Sequence, residues 1–150
     1  METRTVVTGV IGQDSHLVGI SLIEFSLKEA GFNVVSLGAC VSQSEFINAA
    51  IETGAAAILV SSLYGMGVLD CEGFRNKCRE AGLNDILLYI GGRLRTGNAG
   101  AWTWAEIESK FKEMGFDRVY PPDTLPAVAI ADLIQDMKLN PESMRTSSTI

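Results

Sequence analysis

The chain has 150 residues, 47% of them apolar and 20% charged, a composition that excludes a disordered chain and suits one domain with a sizeable core. Its net charge of −6, with Lys and Arg scattered rather than clustered, argues against a nucleic-acid partner. The opening residues hold too short an apolar run for a signal peptide, and no later run approaches membrane-spanning length, so a cytoplasmic protein with no membrane partner is expected.

In chain order, Val6 to Ile11 is a β-rich run, followed by the polar break G-Q-D-S-H. Residues 17–31 then carry a helical stripe at Leu17, Ile20, Ile23, Leu27 and Ala30, with Gly31 suited to the position after the helix end. NVVSLG is a short strand. Ser42 with Glu45 three residues on is a capping-box pattern, opening a helix over 45–53 that Gly54 ends. AAAILVSS is a continuous apolar run, as a central parallel strand covered on both faces requires. The loop LYGMGVL leads to a helix over 70–82, again closed by glycine. DILLYIGG is the fourth strand and RLRTGNAG the loop after it. Residues 101–115 read as a helix, FDRVYPP as the last strand, and 123–138 as a helix with Asp123 as its N-cap. The domain is expected over 1–137 with a polar tail over 138–150.

Three cysteines without a Cys-x-x-Cys pair make no disulfide framework. Cys71 and Cys78, seven apart in the expected helix, would lie about 10 Å apart by helical rise, too far to bridge. Buried structural thiols are the expectation. Trp102 and Trp104 alternate at a helix start, so both cannot face the core, and one is expected at the surface or an interface.

Five alternations of strand and helix imply an α/β fold: a doubly wound, five-stranded parallel sheet of flavodoxin-like (Rossmann-like) order 2-1-3-4-5, in three α/β/α layers. Such sheets bind ligands at the carboxyl ends of their strands, which privileges the stretches after Ile11, Val60, Ile90 and Tyr120. The first holds the chain's single histidine. Asp14 and His16 admit two readings: a helix cap beside an exposed imidazole, or a metal ligand whose second ring nitrogen is held by a carboxylate. One histidine with no cysteine at ligand spacing cannot assemble an ordinary zinc site. A metal that arrives with most of its coordination filled, as in haem or a corrinoid, fits better. Ser61 and Ser62 put small hydroxyls at the third strand's end, and Gly91-Gly92 permits close backbone approach.

Other chemistries of this fold are poorly served. A phosphoacceptor receiver needs an aspartate where the third strand ends in serine. G-Q-D-S-H-L makes a poor flavin-phosphate loop, the G-x-G-x-x-G fingerprint is absent from the first turn, and no nucleophile elbow accompanies His16.

Taken together, D14-S15-H16-L17-V18-G19, then S61-S62-L63, then G91-G92 resemble the signature D-x-H-x-x-G … S-x-L … G-G of cobalamin-binding domains. Asp-x-His-x-x-Gly alone should occur by chance in roughly one chain of this length in a hundred. The stretches GFNVVSLG, FINAAIETGA, VSSLYGMG, DCEGFRNKCREAGL and MGFDRVYPP further resemble the small, cobalamin-binding subunits of glutamate mutase (methylaspartate mutase). That likeness covers roughly residues 3–137.

The resemblance implies adenosylcobalamin bound with its own base displaced, His16 as the axial ligand to cobalt, and Asp14 on the other imidazole nitrogen. The displaced nucleotide tail would lie in a slot lined by Ser61, Ser62 and Leu63 and by Gly91, Gly92, Arg93, Leu94, Arg95, Thr96 and Gly97. Gln13, Ser15 and Leu17 would join the cofactor contacts, and Gly19 would give clearance at the start of the first helix. L-glutamate would be bound mainly by a large barrel-type mutase subunit, and the two subunits together would form an isomerase that interconverts L-glutamate and (2S,3S)-3-methylaspartate by a radical rearrangement. Arg93 and Arg95 suit partner contacts better than a substrate carboxylate, and the 64–67 loop suits either corrin or partner. An exposed apolar patch at the carboxyl edge would be the docking face. The alternative is a cobalamin module serving another mutase, an aminomutase or a corrinoid methyltransferase.

Overall fold

The structure is a computed structural model that describes residues 4–12, 18–62, 67–94 and 103–140. Five parallel strands, β1 (Thr5–Val10), β2 (Asn33–Ser36), β3 (Ala57–Ser62), β4 (Leu87–Gly92) and β5 (Arg118–Tyr120), lie in the order β2-β1-β3-β4-β5. That is the expected doubly wound order. The described residues also form six helices: α1 (Val18–Glu29), α2 (Gln43–Thr53), α3 (Gly67–Asp70), α4 (Phe74–Glu80), α5 (Trp104–Glu113) and, after the last strand, α6 (Pro126–Asp136).

Alternation along the strands sends side chains to two separate cores. Val7, Ile58, Val60, Leu88, Ile90 and Val119 join α2, α4 and α5 through Phe46, Phe74 and Phe111. Val6, Ala57, Leu59 and Tyr89 join α1 and α6 through Leu27 and Leu133. β3 is buried at every position, which is why its sequence shows no alternation. Gly9 in β1 makes room for α2: a Cβ there would lie 3.0 Å from the Phe46 ring and 3.2 Å from Val41.

The helix ends follow local chemistry. Ser42 and Glu45 form the expected capping box, with the Glu45 N–H donating to Ser42 Oγ at 3.2 Å and the Ser42 N–H to Glu45 Oε1 at 3.1 Å. After α1, Gly31 N–H bonds Lys28 C=O and Phe32 N–H bonds Leu27 C=O, while Phe32 and Leu27 pack in one cluster. This is a Schellman close, and α4 and α5 repeat it at Gly82 and Gly115.

Three expectations need correction. The helix expected over 70–82 is divided into α3 and α4, because Gly73 adopts φ 76° and becomes the N-cap of α4. Cys71 therefore sits in the turn between them and Cys78 in α4, both fully buried, as structural thiols are. The last helix is not capped by Asp123: Leu125 occupies the N-cap position without a side-chain bond, and Pro126 supplies the helical φ of the first turn. α5 starts at Trp104 rather than 101, because Thr103 and Glu106 form a second capping box. Trp104 is half-buried against the α2/α4/α5 core; Trp102 lies outside the described residues. At the other end, Leu139 packs against the α1/α6 core.

Arg75 of α4 staples the far side of the sheet. It is 8% exposed and donates to Gly115 C=O (2.9 Å), Ile86 C=O (2.8 Å) and Asp117 Oδ2 (2.8 Å). Asp117 Oδ2 also accepts from the Leu88 N–H at 2.9 Å, which joins β4 to the start of β5.

Candidate functional site

At the carboxyl edge of the sheet, a cavity of about 170 Å³ opens between α1, α6 and the strand ends. Ser61, Gly91 and Gly92 border it from the strands and Gly19 from the first turn of α1. Its inner wall is apolar, with Ile20 and Ile23 from α1, Leu59 from β3 and Tyr89 from β4. Gly91 matters by what it omits: a Cβ there would meet Tyr120 Cβ at 3.4 Å and occupy space at the cleft.

Strand alternation separates the two serines. Ser61 follows Leu59 onto the α1/α6 face and lines the cleft, whereas Ser62 follows Val60 to the opposite face. There Ser62 is fully buried, and its hydroxyl would lie 3.0 Å from a Cβ added at Gly67. Leu94 is also turned away, 2% exposed within the α2/α4/α5 core, and Arg93 is exposed. Gln13, Asp14, Ser15, His16, Leu17, Leu63, Arg95, Thr96 and Gly97 lie outside the described residues.

The rim opposite α1 comes from the segment between β5 and α6. Tyr120, Pro121, Pro122, Thr124 and Leu125 line it, with Pro126 and Ala129 from α6 behind. None of the site residues expected from the sequence lies in this stretch, although it is one of the four strand ends that the fold privileges. The signal was present in Pro121-Pro122, a rigid pair that leaves the sheet at its carboxyl edge. Leu22 and Leu125, both lining the cleft, are 59% and 69% exposed, and Phe25 and Val128 continue that apolar surface along α1 and α6.

Behind the cleft lies a polar cluster. The Tyr89 and Tyr120 rings meet edge to face with centroids 6.0 Å apart. The Tyr89 hydroxyl donates to Asp136 Oδ2, and the Tyr120 hydroxyl donates to Asp132 Oδ2 at 2.5 Å. Arg118 binds Asp136 with a fork, Nε to Oδ2 at 3.1 Å and Nη2 to Oδ1 at 2.8 Å, and its Nη1 lies 3.5 Å from Asp132 Oδ1. Burial, and then the hydrogen bond to a carboxylate, pushes both phenols well above their ordinary range. The Arg118 bonds hold the Asp136 carboxyl below its ordinary value of 3.8. On the α1 side, the buried Thr8 hydroxyl donates to Glu24 Oε2 at 2.5 Å and ties α1 to β1.

Chemically the cleft is a slot for something flat and largely apolar. Its described lining offers hydroxyls but no carboxylate, amine or thiol, so it serves binding rather than proton transfer. Small residues on the sheet side, with Ser61 as a hydrogen-bonding group at the strand end, suit an aromatic heterocycle with one polar edge. The nucleotide tail of a cobalamin presents such a group, so the residues present fit it.

The B12 binding domain family matches residues 4–129, which spans the whole sheet and the start of α6. The fold and the edge cleft thus define a B12-binding domain. Among solved structures, a cobalamin-binding protein from Desulfitobacterium hafniense superposes with a TM-score of 0.73 at 18% identity, which shows the fold alone; 90% of this chain covers 60% of that one. Curated relatives are nearer. The glutamate mutase sigma subunit of Clostridium tetani is 55% identical over 139 residues, covering 93% of this chain and 99% of that protein. The sigma subunit of Clostridium cochlearium is 52% identical over the same shares. The chain belongs to the glutamate mutase sigma subunit family. No helix among the described residues is long and apolar enough to cross a membrane.

Proposed function

We propose that the chain is the cobalamin-carrying component of an adenosylcobalamin-dependent glutamate mutase, acting as an isomerase only together with a large, barrel-type subunit that binds L-glutamate. The carrying observation is the cleft between α1 and α6, where Ser61, Gly91 and Gly19, three positions of the D-x-H-x-x-G … S-x-L … G-G pattern, meet around one apolar slot. When bound, adenosylcobalamin supplies a cobalt–carbon bond whose homolysis starts a radical rearrangement.

The chain's own residues hold and orient. His16 would hold the cobalt through one ring nitrogen, and Asp14 would accept a hydrogen bond from the other, fixing the tautomer and raising the imidazole's basicity. Ser61 would bond the polar edge of the tail, Gly91 and Gly92 would let it approach the sheet, and Ile20, Ile23 and Tyr89, which line the same cleft, would exclude water around it. The exposed Leu22 and Leu125 at the mouth supply apolar surface near where the large subunit must dock. Arg93, exposed just after β4, would contact the partner.

The test is reconstitution. The chain, a purified large subunit of a glutamate mutase, adenosylcobalamin and L-glutamate should together give (2S,3S)-3-methylaspartate, and omission of any one should abolish it. A chain that binds cobalamin yet supports no turnover with the large subunit would instead be a module of another mutase, an aminomutase or a corrinoid methyltransferase.

A further inference from the structure

Tyr89 and Tyr120 line the cleft with their rings, but their hydroxyls point away from it into the carboxylates of α6. Packing alone would be met by phenylalanine at both positions. The hydroxyls instead tie β4 and β5 to Asp136 and Asp132, one helical turn apart, and Arg118 bridges the two acids. Without that guanidinium, two like charges at i and i+4 would repel on a partly buried helix face. Pro126 and Ala129 at the other end of the same helix form a wall of the cleft. Arg118, Asp132 and Asp136 are thus tied to both sides of the slot while lining none of it.

We propose that Arg118, Asp132 and Asp136 are positioning residues for the cofactor's nucleotide tail: through Tyr89, Tyr120 and α6 they set the width of the slot. The inference rests on the reading that the cleft takes the tail. A flat ring gains from contact on both faces, and a gap of 0.5–1 Å forfeits roughly a quarter to a half of each contact's attraction. Release of α6 therefore weakens capture of the tail even where the domain stays folded.

The experiment compares hydroxocobalamin with cobinamide, which keeps the corrin but lacks the nucleotide tail, and adds α-ribazole, the tail nucleoside without the corrin. Binding to the full-length chain is titrated for the wild type, Arg118→Gln and Tyr120→Phe, with melting curves for each. Tyr120→Phe keeps the ring and the packing, so it remains informative if Arg118→Gln does not fold. Affinity for hydroxocobalamin and α-ribazole should fall about tenfold in Arg118→Gln and about threefold in Tyr120→Phe, with cobinamide binding unchanged. Unchanged α-ribazole and cobalamin binding, or an equal loss for cobinamide, would overturn the positioning role. A wild-type chain that prefers neither cobalamin over cobinamide nor binds α-ribazole would sink the tail-in-cleft reading itself.

Discussion

Ser61 and Gly91 act on the cleft in complementary ways, one by presenting a hydroxyl and the other by presenting nothing. Replacing Ser61 by Ala removes one hydrogen-bonding group from an otherwise apolar wall. Cobalamin affinity should fall about three- to tenfold, since a typical hydrogen bond contributes about 0.5–1.5 kcal/mol net. The melting temperature should stay within a degree or two, because Ala fills the same strand position; parallel binding titrations and melting curves check both. Ser61 and Gly91 were legible in the sequence because strand ends can be read from local pattern, and ligand sites in this fold collect there. Ser62 and Leu94 enter the expected lining as members of the 61–63 and 91–97 stretches that the resemblance implies. Their faces depend on strand register and on the chain's path beyond β4, which no short motif encodes. Arg118 gave no signal at all, because its partners Asp132 and Asp136 become neighbours only when α6 folds back on β5.

Among the elements, the glycine-closed helices were the most legible, since each closing residue announces itself within one turn. Where two local signals competed, the stronger backbone constraint decided. Gly73 broke the apolar period of 70–82, and Pro126 outranked Asp123 as the start of α6. Gly115 shows how a close can also be a tertiary contact. Its φ is 102°, and an added Cβ would lie 2.5 Å from Arg75 Cβ, against the stem of the guanidinium that joins α4 to β4 and β5. Gly115→Ala should therefore destabilise the domain by at least about 1–3 kcal/mol, read as a lowered urea midpoint. The same change at Gly54, where an added Cβ meets nothing within 4 Å, carries only the positive-φ strain and should cost less. An equal effect at the two sites would show that the Arg75 contact adds nothing.

For the whole molecule, the Arg118 cluster predicts how stability varies with pH. Asp136 titrates below its ordinary 3.8 in the folded chain, so its stabilisation is present above that value and is lost as pH falls through the lowered one. Tyr89 and Tyr120 titrate above their ordinary 10.0, so their contribution is full below pH 10 and disappears as pH rises through the raised values. Melting temperature should be nearly level from about pH 5 to 9 and fall on both sides. Tyr89→Phe should blunt the alkaline limb and only slightly weaken the acid limb, because the Arg118 bonds, the larger cause of the Asp136 shift, remain while the Tyr89 bond is lost. The sheet order, the two cores and the carboxyl-edge site were all legible from alternation of strand and helix, because a doubly wound sheet admits few other solutions. The walls of the cleft were not, since one side of them comes from residues 120–129, distant in sequence from the strand ends that carry the signature.

The most direct measurement is the electron paramagnetic resonance spectrum of unlabelled cob(II)alamin bound to the chain uniformly labelled with nitrogen-15. A histidine from the protein on cobalt splits the lines into doublets, and the account predicts doublets that vanish in His16→Ala. Triplets from the cofactor's own nitrogen-14 base, seen with the cofactor bound, would contradict it.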